Sequence, residues 1–406
     1  MLLGTLDTKG EEYAYVRDLI VDSGKDVVLV DVGVLGTPSL VADVDSSTVA
    51  AAAGADLTEL RQRRDRAAAL DAMAAGARAV ARDLHAQGRL SGVLALGGSG
   101  GSSIAAKVMR ALPVGLPKLL VSTMAGGDVS PYVGTTDVTL MYSVVDVAGI
   151  NSISRQVLGN AAAAIAGMAD GYERRQSNPQ AAQDKPLVAA TMFGVTTPAV
   201  DTARARLTEL GYEVLVFHAT GSGGRTMENL VADGHFAGVL DLTTTELADE
   251  IVGGVLSAGP DRLTAAAKAG IPQVVSLGAL DMVNFGPRDT VPERFSERHL
   301  LVHNETVTLM RTNPTEAARI GEVLGQKLAA ATGPTALFVP RGGLSAVDVD
   351  GGPFWDRAAD AACIDSVLEA VAATHVEVID SDQDINSTAF ATAAAEHLHR
   401  LIRSAT

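Results

Sequence analysis

The sequence predicts an α/β fold in two domains, each a parallel sheet covered by helices. Three observations carry that prediction. A chain of 406 residues, 47% hydrophobic and with 41 glycines, is too long for one ordinary core and rich enough to fill two. Aromatic residues make up only 4% while Ala, Val, Leu and Gly dominate, which suits buried parallel strands under alanine-rich helices. Apolar runs of strand length alternate with helical periodicity in both halves, and each half carries a glycine-rich turn from strand to helix.

The first domain, expected over residues 1–178, begins with a strand at 2–4, so short that the natural start is expected a few residues upstream. Tyr13, Val16, Leu19 and Ile20 mark one face of a helix, and Val27-Val28-Leu29-Val30 forms a second strand ending at Asp31, which completes a βαβ unit. An alanine-rich stretch, 50–84, holds two or more helices before a strand at 92–96. That strand empties into Gly97-Gly98-Ser99-Gly100-Gly101-Ser102-Ser103, four glycines and three serines in seven positions. A helix follows, with Ile104, Val108 and Leu112 recurring at four-residue spacing. Residues 118–123 supply another strand, and the apolar pattern lapses between Gly171 and Pro186, the expected linker. The second domain, 179–406, repeats the plan with strands at 187–192, 214–217, 238–240, 273–277 and 336–339. Its glycine loop is Thr220-Gly221-Ser222-Gly223-Gly224-Arg225.

Composition excludes several classes. A net charge of −16 argues against a nucleic-acid surface, which needs clustered Lys and Arg. No long apolar run and no basic start with an apolar core and cleavage site occurs, so neither a membrane span nor export is expected, and the location is expected to be cytoplasmic. The single cysteine, Cys363, excludes an internal disulfide and reads as a small buried residue of a helix.

The first glycine loop is the strongest functional signal. Glycine lets the backbone approach a ligand, and the first N–H groups of a helix lack internal partners, so Gly97, Gly98, Ser99, Gly100, Gly101 and Ser102 form an anion site suited to a phosphate. The nucleotide-triphosphatase loop is not matched, because the nearest lysine, Lys107, lies inside the helix. Nor is the dinucleotide fingerprint, which wants Gly where Ser103 stands and an acid where Lys118 stands.

Gly4, Thr5, Asp7, Thr8 and Lys9 lie at the carboxyl end of the first strand, where open α/β sheets bind ligands. They offer hydroxyl donors, an ammonium for phosphate, and a carboxylate for the water shell of Mg²⁺. Asp7 or Thr8 ahead of Glu11 and Glu12 equally reads as a plain capped helix start. Asp31 stands where an acid accepts from ribose hydroxyls or closes a turn. In the second domain Gly221, Gly223, Gly224 and Arg225 read as a seat for a second anion, a small metabolite, with Arg225 alternatively a surface residue. Asp281 and His303 are further polar groups at strand ends, and Thr243-Thr244-Thr245-Glu246 matches a capping box with Thr243 as the cap. His218, His235 and His299 share no zinc-ligand spacing with His303.

In Gly4-Thr5-Leu6-Asp7-Thr8-Lys9, in Leu96-Gly97-Gly98-Ser99-Gly100-Gly101, and in the stretches 217–225, 240–247 and 278–285, the chain resembles the family of the tobamovirus resistance protein of tomato, with bacterial and fungal members. The resemblance covers nearly the whole length, although Glu305 stands where the family has Pro after His-Asn. It implies two Rossmann-like subdomains, ATP as the cofactor, and a homodimer; the residues after the first strand add the expectation that ATP is taken with Mg²⁺ at the first domain's strand ends. Longer family members carry a C-terminal barrel domain, which makes a separate barrel-domain protein an expected partner. Joined to the residue reading, the resemblance leaves two expectations. One is an enzyme coupling ATP to activation or phosphorylation of a small anionic metabolite at the cleft between the domains. The other is a nucleotide-gated binding subunit acting on a separate protein.

Overall fold

In the computed structural model the strands β1 (Leu2–Gly4), β2 (Leu29–Asp31), β3 (Val93–Gly97), β4 (Lys118–Ser122) and β5 (Thr139–Tyr142) pair in parallel in the order β2-β1-β3-β4-β5. The structure describes residues 1–38, 40–177 and 185–405. These fall into two units, Met1–Gln183 and Asp184–Thr406. The boundary expected between residues 178 and 179 lies outside the described residues.

Alternation along the strands of the first unit feeds two separate cores. Leu2, Leu94, Leu96, Leu119 and Val121 pack with Tyr13, Val16 and Ile20 of α1 (Leu6–Asp22) and with Leu158, Ala161 and Ile165 of α7 (Ser152–Gln176). Their neighbours Leu3, Val93, Ala95 and Leu120 face the other way. They meet Val49 of α2 (Ser46–Ala52), Met73 and Ala77 of α4 (Arg66–Ala86), and Ile104 and Val108 of α5 (Ser99–Met109). Between α2 and α4 lies α3 (Leu57–Arg63), and α6 (Ser130–Val133) precedes β5. The six residues from Gly171 that the sequence assigns to the linker are instead the end of α7, whose apolar face reaches Ala169 and then gives way to a polar but still helical tail.

The second unit has six parallel strands in the order β14-β13-β9-β8-β6-β7. They are β6 (Leu187–Met192), β7 (Glu213–His218), β8 (Gly238–Thr243), β9 (Gln273–Gly278), β13 (Thr335–Pro340) and β14 (Glu377–Ser381). Helices α8 (Thr197–Glu209) and α14 (Thr388–Ala405) cover one face through Val200, Leu207, Phe390 and Leu398. The other face carries α9 (Ser222–Ala232), α11 (Ala265–Ala269), α12 (Pro314–Ala329) and α13 (Arg357–Val371). A small antiparallel sheet of β10 (Met282–Phe285), β12 (Val307–Arg311) and β11 (Leu300–Asn304), absent from the sequence reading, follows β9. Cys363 is buried in α13, where burial pushes its thiol up to about 12 and leaves it inert. Among the described residues no helix is long and apolar enough to cross a membrane.

Candidate functional site

The strand order makes a crevice in the first unit. From β1 the chain runs to β2 on one side and then returns to β3 on the other, so the connections at the carboxyl ends of β1 and β3 diverge. Tyr13 sets the floor of that opening. Its hydroxyl donates to the Leu3 carbonyl at 2.5 Å and accepts from the Leu96 N–H at 2.7 Å, where a direct bond between the strands would otherwise form. Gly4 is glycine for this reason, because a Cβ there would lie 2.0 Å from the Tyr13 ring. Burial raises the pKa of the Tyr13 hydroxyl, which stays neutral.

The first glycine loop opens beside this floor. Gly98 is the N-cap of α5 and has no capping side chain, and the N–H groups of Ser99, Gly100 and Gly101 have no acceptor among the described residues. Ser102 does not join them: its hydroxyl is buried against Ser122 Oγ at 2.6 Å and ties the ends of β3 and β4 together. A residue outside the sequence-derived set does. Arg66, the first residue of α4, brings Nη2 within 3.3 Å of where a Cβ on Gly100 would sit. It has no hydrogen bond or ion pair of its own among the described residues. Three free N–H groups beside an uncommitted guanidinium make an anion seat.

The residues after β1 divide by role. The hydroxyls of Thr5 and Thr8 are exposed and lie 2.9 Å apart. Lys9 interrupts α1 with non-helical backbone (φ −134°) and gives its ammonium to the Val147 carbonyl. Neither Asp7 nor Thr8 caps α1, since the N-cap is Thr5 and no side chain bonds there. Instead Asp7 and Asp31 brace each other's loops. Asp31 Oδ1 accepts from the N–H groups of Leu6 and Gly33 at 3.0 and 2.8 Å, and Asp7 Oδ2 from Leu35 and Gly36 at 2.7 and 3.1 Å. Burial, with the Asp7 charge adding to it, raises the Asp31 pKa against the pull of those N–H groups.

The second glycine loop is also an anion seat, and the chain fills it from within. Glu246 Oε1 accepts from the N–H groups of Gly221 and Gly224 at 2.7 and 3.1 Å. A Cβ on Gly224 would lie 2.1 Å from Oε2 of the same carboxylate, and one on Gly223 would lie 1.9 Å from the His218 carbonyl. Fully buried Arg262 then links Glu246 (2.6 Å) to Asp241, which it grips with both terminal nitrogens at 2.5 and 2.7 Å. Arg225 points elsewhere, donating to the Ser257 carbonyl at 2.8 Å. The expected capping box is therefore not formed. α10 (Thr245–Val252) has Thr244 as its N-cap without a side-chain bond, and the Thr243 hydroxyl is spent on Thr191 and Thr196.

Asp281 and His303 do not join that loop. Asp281 is fully buried after β9, where it accepts from Ser345 Oγ at 2.8 Å, and burial pushes it up to about 6. His303 is exposed within the antiparallel β11 rather than at the end of a parallel strand.

Residues 1–174 match the N-terminal domain, and residues 185–402 the C-terminal domain, of the Uncharacterised protein family (UPF0261). A UPF0261 protein of Clostridium tetani is 50% identical over 398 residues, 98% of this chain and 97% of that relative. Another, from Rhizobium meliloti, is 47% identical over 91% of this chain and 90% of its own length. The ToMV resistance protein Tm-1(GCR237) of Solanum lycopersicum is 48% identical over 267 residues, 66% of this chain but 35% of the longer plant protein.

Proposed function

The chain belongs to the UPF0261 family, and from its site we propose that the first unit binds ATP at the carboxyl ends of β1 and β3 and acts as a nucleotide-gated binding subunit. One observation carries the nucleotide: the free N–H groups of Ser99, Gly100 and Gly101 open beside Arg66 at the point where the strand order reverses. Mg²⁺ bound with the nucleotide would neutralise charge on the phosphates. The chain's own residues supply the rest. The loop N–H groups and the Arg66 guanidinium hold phosphate oxygens, while Tyr13 keeps the crevice open between Leu3 and Leu96.

The occupied second loop favours gating over metabolite activation, because the seat expected for a second anion already holds Glu246. A separate barrel-domain protein and a second copy of the chain are the partners that such a subunit would engage. Calorimetry with ATP and NAD tests the reading. ATP is expected to bind and NAD not to, since Ser103 and Lys118 replace the glycine and acid of a dinucleotide site. Tighter binding of NAD than of ATP would overturn it.

A further inference from the structure

We infer that Asp7 and Asp31 form a seat for a divalent cation of the Mg²⁺ type, and that it takes the ion with or without nucleotide present. The inference rests on the ligand reading of this crevice, but on different atoms. Each carboxylate spends one oxygen on the backbone of the loop opposite, and the other oxygen, Asp7 Oδ1 or Asp31 Oδ2, is buried with no hydrogen-bond partner among the described residues. Asp31 is 1% exposed. The Ser46 hydroxyl lies beside its carboxylate without hydrogen-bond geometry. Both acids touch Gly33: its N–H donates to Asp31, and a Cβ on it would fall 2.5 Å from Asp7 Oδ1.

A buried anionic oxygen left without a donor is costly, and the Asp7 charge adds to that cost at Asp31. One cation relieves both. The chemistry of the donor set selects which cation. Among the described residues no group of three or more His, Cys, Asp and Glu gathers as a metal cluster, so a zinc or calcium cage is absent. Two carboxylates are a donor set that Mg²⁺ uses, since it takes one or two carboxylates and completes its shell with waters and phosphate oxygens. The N–H bonds held by the other two oxygens fix both carboxylates before the ion arrives.

The test uses Mn²⁺ as the probe, with the full chain freed of metal by chelation, and reads free Mn²⁺ by electron paramagnetic resonance. Without nucleotide, one Mn²⁺ per chain is expected to bind in the millimolar range or tighter. Asp31→Asn and Asp7→Asn each keep a carbonyl oxygen for the backbone bonds, so the fold should survive, while Mn²⁺ affinity falls by about tenfold or more. Gly100→Val should leave Mn²⁺ binding unchanged while it weakens ATP at least tenfold, measured in chelator, which separates failure of the cation seat from failure of the nucleotide reading. The inference is overturned if wild type binds no Mn²⁺ in that range, or if both Asn variants bind it like wild type. A carboxylic-acid infrared band at neutral pH, lost in Asp31→Asn and unmoved by Mn²⁺, also overturns it, because a proton would then hold the place of the ion.

Discussion

Glycines that look alike in the sequence carry three different burdens. At Gly4 a Cβ would strike the Tyr13 ring at 2.0 Å, and at Gly224 it would strike the Glu246 carboxylate at 2.1 Å. At Gly100 the nearest atoms to a Cβ, Arg66 Nη2 and Leu70 Cδ2, are 3.3 and 3.8 Å away, so a Cβ needs only the flexible end of Arg66 to give way and then stands in the anion seat. Gly4→Ala and Gly224→Ala are therefore expected to lower stability by roughly 1–3 kcal/mol or more through overpacking, read as a fall in the thermal midpoint by circular dichroism. Gly100→Val should melt like wild type yet bind ATP at least tenfold more weakly, about 1.4 kcal/mol by calorimetry. Arg66→Ala should behave in the same way, since its guanidinium has no partner to lose among the described residues. Unchanged ATP affinity in both variants would remove the seat from the glycine loop.

At the scale of elements, the second glycine loop shows how a helix start becomes structure rather than a binding site. Two of the N–H groups at the start of α9, those of Gly221 and Gly224, are taken by a carboxylate on α10, and Arg262 neutralises it from the loop before α11. Breaking such a buried pair from one side leaves a charge without a partner. Glu246→Ala is accordingly expected to destabilise the second unit by about 3–5 kcal/mol in denaturant titrations. Arg225→Ala, which loses one exposed bond to the Ser257 carbonyl, should change stability by less than about 1 kcal/mol. If Arg225→Ala were the costlier of the two, the internal-anion account of this loop would be wrong.

Across the whole molecule, buried acids make stability depend on pH. Burial pushes Asp281 up to about 6 and Asp249 to about 7. It pushes Asp348 up to about 9, with the charges of Asp281 and Asp360 adding and the Arg311 guanidinium opposing. Between the ordinary carboxylate range and those values the folded chain holds protons that the unfolded chain releases. Stability contributed by these groups is thus present at low pH and is lost as pH rises through 6, 7 and 9. The stability of the second unit, followed by its melting temperature, should fall from pH 6 to pH 9, by at most about 1.4 kcal/mol per pH unit for each of these acids until the pH passes its own raised value, and Asp348→Asn should flatten the upper part of that slope. The sequence by itself determined the fold class, the parallel strands β1 to β4, β6 to β9 and β13, and the glycine loop at Gly97, because apolar periodicity and glycine act over a few residues. It did not reveal β5 or β14, since these edge strands are half exposed and lack a buried apolar run. Only the tertiary structure decided which carboxylate answers which helix. Asp31 reaches Leu6 across 25 positions, Glu246 reaches Gly221 across 25, and Arg66 arrives at Gly100 from the start of another helix. Charge and hydrogen-bond pairing act through space, so a chain position fixes what a side chain can donate or accept, and packing alone selects its partner.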